Sequence, residues 1–307
     1  MKKISVVIPV YCAADTLHSL YDEFCKIEQD LLDAETELEL IFVDDGSTDD
    51  TLLTLLDIKK LRPSTRIVKL TRNFGAIKAV KAGFQQVTGD CFMAIAADLQ
   101  DPVDLIPTLV RKWLEGSKYT ILVRRNRDDP ITSKMFSWIF YLLIRKLIFA
   151  SYPRGGFDVA LMDRVFLEYL NRSGKNINPS LYSYYLGFEP TIIPYDRRKR
   201  AKGKSKWGFG RKANYFIDSL LGFSIAPLRI VTAIGAVVAL TSFAFGIVIV
   251  VSALFKGSPV PGFPSLAALV SFLSGTSLFV SALIGEYVWR IFDQVNQRPE
   301  SVIEDIF

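Results

Sequence analysis

LELIFVDDGSTDDT, residues 38–51, decides how the chain is read. Leu38 to Asp44 form a short apolar run that ends in acid, the pattern of a strand buried in a sheet. Asp45, Gly46 and Ser47 turn the chain, and Thr48 to Thr51 resemble a helix N-cap. Strand, acidic turn, helix is half of a βαβ unit. Working outward, ISVVIPV (4–10) precedes a helical stretch near Thr16 to Leu32, and a helix near Asp50 to Leu61 leads into RIVKL (66–70). A helix near Ala76 to Val87 then leads into CFMAIAAD (91–98). Strands alternating with amphipathic helices predict a parallel sheet. The ligand site of such a sheet lies at the carboxyl ends of its strands, here PVYCAAD, DDGSTDD and ADLQDP.

The chain has 307 residues, 50% of them hydrophobic, and a mean hydropathy of +0.25, which is too apolar for an ordinary soluble protein. Its length allows about two domains at roughly 150 residues each. Three dispersed cysteines and a single histidine, His18, exclude a zinc cluster or a disulfide scaffold and fit a reducing compartment. Neither GxxxxGK[ST] nor GxGxxG occurs, so no Gly-rich loop is available to cradle phosphates. Asp98, Gln100 and Asp101 of ADLQDP, two acids and an amide, can offer hard oxygen ligands to Mg²⁺ or Mn²⁺. With Asp44 and Asp45 at the end of another strand of the same sheet, they point to a metal-assisted phosphate site.

The last third carries a different pattern. Ile230 to Phe255 is uncharged over 26 residues, about 39 Å as a helix and long enough to span a bilayer. After the Pro/Gly turn SPVPGFPS, a second uncharged run extends from Leu266 to Ile284. Two transmembrane helices joined by a hairpin are expected, with Lys/Arg concentrated outside the hairpin, which places both termini in the cytoplasm. The start, MKKISVVIPVYCAA, has the outline of a signal peptide, but its apolar run is short and broken by Pro9, so it reads as the first strand. Small residues at Ser271, Gly275, Ser277, Ser281 and Gly285 provide a helix-packing face compatible with a homo-oligomer.

Nine Lys/Arg and no acid lie between Arg197 and Lys212, just before an amphipathic stretch, Tyr215 to Ile225. That placement favours anionic lipid over nucleic acid as the partner of the basic run. The expected organisation is an α/β catalytic domain at 1–195, a basic and amphipathic juxtamembrane segment at 196–228, a transmembrane hairpin at 229–290 and a cytoplasmic tail at 291–307.

SVVIPVY, FVDDGSTDDT, TRNFGAIKA, ADLQDP, RNRDDP with SWIFYLL, GFDVALMDR, GKSKW, FSIAPLR, VPGFPSL and GEYVWRIFDQVNQRP together cover nearly the whole chain. They resemble family 2 glycosyltransferases with the Rossmann-like GT-A fold. The likeness is to dolichyl-phosphate mannose synthases and to bacterial polyprenyl-phosphate (bactoprenol) glucosyltransferases with two C-terminal transmembrane helices. The resemblance implies an inverting, metal-dependent hexosyltransferase that moves glucose from UDP-glucose to undecaprenyl phosphate at the inner membrane, for modification of a cell-envelope glycan. It implies that Pro9, Tyr11, Asp44 and Asp45 line the nucleotide, and that Asp98 and Gln100 hold Mg²⁺ or Mn²⁺. Asp158 takes a catalytic role beside Asp98, as an orienting group or a weak base. Arg124, Arg127 and Ser137, with Arg200, Lys204 and Lys206 of the basic run, meet the acceptor phosphate. The chain departs from relatives at Cys12-Ala13, Ala96-Ala97 and Val159-Ala160. Alternatives are the same transfer from GDP-mannose, UDP-aminoarabinose or a UDP-N-acetylhexosamine, or a membrane-anchored nucleotide-binding scaffold without catalysis. A processive synthase is excluded, because it would need a QxxRW motif and more spans.

Overall fold

The computed structural model describes residues 1–125, 131–174, 177–198, 262–296 and 299–307, with isolated positions between 216 and 244. The chain divides into two units, 1–219 together with 299–307, and 220–298.

In the first unit the expected alternation is present: β1 (Lys2–Val10), α1 (Ala14–Asp33), β2 (Thr36–Asp44), α2 (Thr51–Leu61), β3 (Arg66–Leu70), α3 (Ala76–Phe84) and β4 (Cys91–Ala94). After a 3₁₀ turn (Val103–Leu105) come α4 (Ile106–Leu114), β5 (Tyr119–Arg124), α5 (Ile131–Leu147), β6 (Val159–Asp163), α6 (Val165–Asn171), α7 (Pro179–Tyr185) and β7 (Thr191–Tyr195). α1 forms because Leu17, Leu20, Phe24, Ile27 and Leu31 recur at helical spacing and bury one stripe against the sheet. α2 and α4 add Leu55, Ile58, Leu109 and Val110 to the same core, which also takes Ile4, Val6 and Ile8 of β1. Alternate side chains of β1 face the other way, so Val7 meets α3. There Gly83 allows close approach, since a Cβ would press into Val7 and lie 2.9 Å from the Val43 Cγ2.

The sheet has the order β7-β5-β6-β4-β1-β2-β3-β8, where β8 is Ile303–Ile306. β1 is parallel to β2 and β4, and β2 to β3. β6 is antiparallel to both β4 and β5, while β5 is parallel to β7. The antiparallel β6 therefore enters the sheet at the edge where β1 to β5 and β7 leave it. Residues just before β6 and just after those six strands share one edge, which positions the site.

β4 stops at Ala94, earlier than the apolar run CFMAIAAD suggests. The Ile95 N–H still donates to the Val7 carbonyl at 3.0 Å. The next rung of a parallel ladder would come from the residue two further along β1, and that residue is Pro9, which has no N–H. The ladder ends there, and the chain from Ala96 onward leaves the sheet.

The end of the chain, expected as a tail, returns to the sheet. β8 pairs antiparallel with β3, and ion pairs Lys69–Glu304 at 2.9 Å and Lys81–Glu300 at 2.5 Å fasten it. In the second unit, α8 (Phe263–Val295) runs for 33 residues. Among the described residues no helix is long and apolar enough to cross a membrane, and several side chains along α8 lie outside that set.

Candidate active site

Hydroxyl groups stitch the loops at the shared edge. The Cys12 N–H donates to Ser47 Oγ and the Ala13 N–H to Thr51 Oγ1, both at 2.9 Å, and Thr16 Oγ1 donates to the Ala97 carbonyl at 3.1 Å. The loops after β1, β2 and β4 are thus held to one another before any ligand arrives.

Asp44 and Asp45 are both buried, with different partners. Asp44 accepts the Ser47 N–H on Oδ1 at 2.9 Å, while its Oδ2 is buried without a hydrogen-bond partner, an atom suited to a ligand's donor. Asp45 accepts the Phe74 N–H on Oδ1 at 2.7 Å and the Gly75 N–H on Oδ2 at 2.9 Å. Its carboxylate anchors the loop after β3. Burial raises its pKa, against the lowering effect of those two amides. Gly46 has φ +67°, and a Cβ there would collide with the Arg72 backbone, so this turn demands glycine. Pro9 is half-buried and Tyr11 is exposed at the end of β1.

In the loop after β4, Asp98 Oδ1 accepts the Gln100 N–H at 3.2 Å, and Leu99 between them takes φ +58°. A branched side chain in the left-handed region is strained, and such strain persists only where the surroundings impose it. A carboxylate and an amide are hard oxygen donors for a divalent cation. Among the described residues no group of three or more His, Cys, Asp or Glu could hold a metal. The donor set fits an ion shared with a substrate's phosphates, the manner in which Mg²⁺ is commonly held by one or two protein ligands.

Asp101, the second acid of ADLQDP, is only 6% exposed. Its Oδ1 lies 3.6 Å from Arg197 Nε. Burial pushes its pKa up to about 6, with Arg197 opposing and the charges of Asp158 and Asp98 adding to the rise.

Across the edge, Arg124 at the end of β5 grips Asp158 with Nε and Nη2, both at 2.5 Å, and the Tyr195 hydroxyl at the end of β7 donates to Asp158 Oδ2 at 2.7 Å. Burial would raise the Asp158 pKa, but the bonds and charge of Arg124, with the Tyr195 hydroxyl, outweigh it and hold the carboxyl below its ordinary range. For Arg124, burial favours losing the proton and Asp158 more than reverses this. Burial, then the Asp158 charge, raises Tyr195. Asp158 is thus an ionised carboxylate of low basicity, fit to orient more than to abstract. Arg124, expected at the acceptor phosphate, spends two donors on Asp158. Tyr195 escaped the sequence reading because nothing local marks it; only the pairing of β5 with β7 brings it to Asp158.

Asp101 and Asp158 line one cavity of about 290 Å³ with Pro9, Ala96, Ala160 and Asn178. Ser137 is half-buried on α5, and Arg127, Arg200, Lys204 and Lys206 lie outside the described residues.

The pattern described as Glycosyl transferase family 2 matches residues 5–171. Over 308 residues the chain is 32% identical to an uncharacterized glycosyltransferase of Synechocystis sp., covering 99% of this chain and 96% of the relative. It is also 32% identical over 308 residues to the SfII prophage-derived bactoprenol glucosyl transferase of Shigella flexneri, covering 98% and 97%. In fold it is similar to the mannosyltransferase PcManGT from Pyrobaculum calidifontis, solved with GDP-Man and Mn²⁺, at TM-score 0.50 and 18% identity over 95% of this chain and 88% of that one. The mostly parallel, Rossmann-like sheet expected of the GT-A fold is therefore present, and the chain belongs to glycosyl transferase family 2.

Proposed function

We propose that this hexosyltransferase moves glucose from UDP-glucose to a polyprenyl phosphate such as undecaprenyl phosphate, with inversion, at the cytoplasmic face of the inner membrane. The observation that carries the reading is the convergence at one sheet edge of two chemically distinct halves. Asp44, Asp98 and Gln100 suit a nucleotide diphosphate with its cation, while Asp158, held by Arg124 and Tyr195, faces a cavity beside them. The choice of glucose and of a bactoprenol-type acceptor rests on relatives that carry those words in their names.

In the reaction, an oxygen of the acceptor phosphate forms a bond to the anomeric carbon from the face opposite the leaving group. The bond from that carbon to the UDP oxygen breaks, and its electron pair departs on UDP. A phosphate monoester, with its second pKa near about 6, is already anionic at neutral pH, so no strong base is needed. The depressed pKa of Asp158 agrees with this: it orients the acceptor or the sugar hydroxyls. Asp44 takes a donor of the base or ribose. Asp98 and Gln100 would hold Mg²⁺ or Mn²⁺, which supplies positive charge to the departing diphosphate.

Membrane attachment is part of the proposal. Ile230 to Phe255 and Leu266 to Ile284 are uncharged, and the second run lies within α8. The Thr276 hydroxyl donates to the Phe272 carbonyl at 2.9 Å, satisfying itself inside its own helix as lipid requires. Because 1–219 and 299–307 belong to one unit, any crossings by the intervening segment must be even in number. Trp138 on α5 is 65% exposed, a side chain suited to the bilayer interface.

The test uses detergent-purified full-length protein, undecaprenyl phosphate and a panel of labelled nucleotide sugars, with Mg²⁺, Mn²⁺ or chelator, and scores label in the organic phase. Metal-dependent label from UDP-glucose is expected. Label from GDP-mannose, UDP-aminoarabinose or a UDP-N-acetylhexosamine instead would keep the mechanism and change the sugar. No label from any donor would favour the scaffold suggested by Ala13 and Ala96.

A further inference from the structure

Nine basic residues between Arg197 and Lys212 look interchangeable in sequence, yet the first two are not. They turn back onto the protein. The Arg198 guanidinium bridges two carboxylates, Glu23 of α1 through Nη1 at 3.0 Å and Asp104 of the 3₁₀ turn through Nη2 at 2.6 Å. Its backbone N–H donates to the Gln100 carbonyl at 3.2 Å. Arg197 beside it points Nε at Asp101. Main chain and side chain of one residue thus join α1, the loop after β4 and the chain leaving β7.

We infer that Arg198 is a positioning residue that holds the loop 98–104 in its strained shape and so couples the start of the basic segment to the donor side of the site. Leu99, at φ +58°, sits between Asp98 and Gln100, and such a conformation relaxes unless its neighbours over-determine it. Gln100 is fixed on one side by Asp98 and on the other by Arg198. Arginine is the residue for this task, because its planar fork reaches two carboxylates at once where an ammonium acts as a point charge. When Arg198 lets go, the loop loosens, and Asp98 and Gln100 lose their placement. The cost falls on the donor and not on the acceptor. This kinetic consequence rests on the transfer reaction proposed above, whereas the hold on the loop does not.

The experiment compares full-length wild type, Arg198→Ala, Arg198→Lys, the double variant Glu23→Ala/Asp104→Ala and the corresponding triple variant in detergent. Hydrogen exchange is followed over 98–104, and KM is measured separately for UDP-glucose with Mg²⁺ and for undecaprenyl phosphate. Arg198→Ala should speed exchange in that loop and raise the donor KM about fivefold, a size in keeping with a networked, partly exposed ion pair, while the acceptor KM stays within about twofold. Arg198→Lys should fall between, and the triple variant should match Arg198→Ala, since the groups act as one unit. Unchanged exchange over 98–104 would overturn the inference. So would a rise confined to the acceptor KM, or additive effects in the triple variant. If wild type fails to use UDP-glucose, the proposed reaction falls, and the exchange comparison still decides the role of Arg198.

Discussion

On the β1–β2 side of the sheet edge, Asp44 and Asp45 are held by backbone N–H groups of Ser47, Phe74 and Gly75, whereas on the β5–β6–β7 side Asp158 is held by a guanidinium and a phenol. Backbone amides satisfy a carboxylate without cancelling its charge. Arginine does cancel it. The first half therefore stays acidic and suits a cation carrying a diphosphate. On the second side Arg124 neutralises Asp158, and Asp101, which lines the same cavity, faces Arg197 at 3.6 Å. Under the proposed reaction, one fold edge would serve two charged substrates, with the means of holding each acid setting the local field.

The largest effect that would break this comparison is at Asp98. Asp98→Ala should reduce transfer by about 10³-fold, the scale for losing one preorganised electrostatic group, with the unfolding midpoint nearly unchanged because the side chain sits on a partly exposed loop. Full activity in this variant would remove the metal assignment. Next comes Arg124→Met, which strands Asp158 as a buried, uncompensated charge and should lower stability by about 3 kcal/mol in denaturant unfolding. Replacing both partners with Arg124→Met/Asp158→Leu should recover much of that stability but no activity, separating the structural role from the orienting one. Asp45→Asn sharpens the other half. An amide there presents N–H to an N–H, leaving the Phe74 or Gly75 donor unpaired at a cost of about 2 kcal/mol. Hydrogen exchange at 72–75 should report it first.

The smallest effect is a pH dependence. The native pKa of Asp101 is raised, so the folded state binds a proton that the unfolded chain has already released, and stability falls as pH rises from about 4 toward about 6. Above that range the loss is complete. Asp101→Asn should therefore be more stable than wild type by about 1 kcal/mol at pH 8, allowing for the opposing Arg197 charge, with the difference shrinking below pH 5. Asp158 behaves oppositely. Its pKa is depressed, so its contribution is present above the ordinary carboxylate value and is lost only as pH falls through the native one. Thermal unfolding midpoints of wild type, Asp101→Asn and Asp158→Asn from about pH 2 to about pH 8 separate the two signs, the first between the ordinary carboxylate value and about 6 and the second below the ordinary value.

Much of the first half was legible in the amino-acid sequence. β1 to β3, the three helices that follow them and the acidic loops at the strand ends follow from hydrophobic period and local turn chemistry, and they lie where the spacing predicts. Asp44, Asp45, Asp98 and Asp158 were all singled out as site residues. Less was legible where a partner is distant in sequence. Tyr195 is 37 residues from Asp158, Arg198 is 175 from Glu23 and 94 from Asp104, and β8 pairs with β3 although most of the chain lies between them. No local pattern encodes such pairings.

Pro9 marks the boundary between the two kinds of knowledge. Its identity was plain in ISVVIPV, but that it ends the β1–β4 ladder and releases Ala96 to Asp98 from the sheet depends on which of its neighbours its missing N–H would have met. The sequence by itself determined the elements of the parallel half and which acids stand at its edge, because period and turn residues act within a few residues of the chain, and its motifs taken together carried the resemblance to the family. The tertiary structure alone decided that β6 runs backward, that Arg124 and Tyr195 converge on Asp158, that Arg197 and Arg198 fold over the β4 loop and that the last strand closes the sheet. Strand pairing and ion pairing join groups by distance in space, and distance along the chain carries almost no information about it.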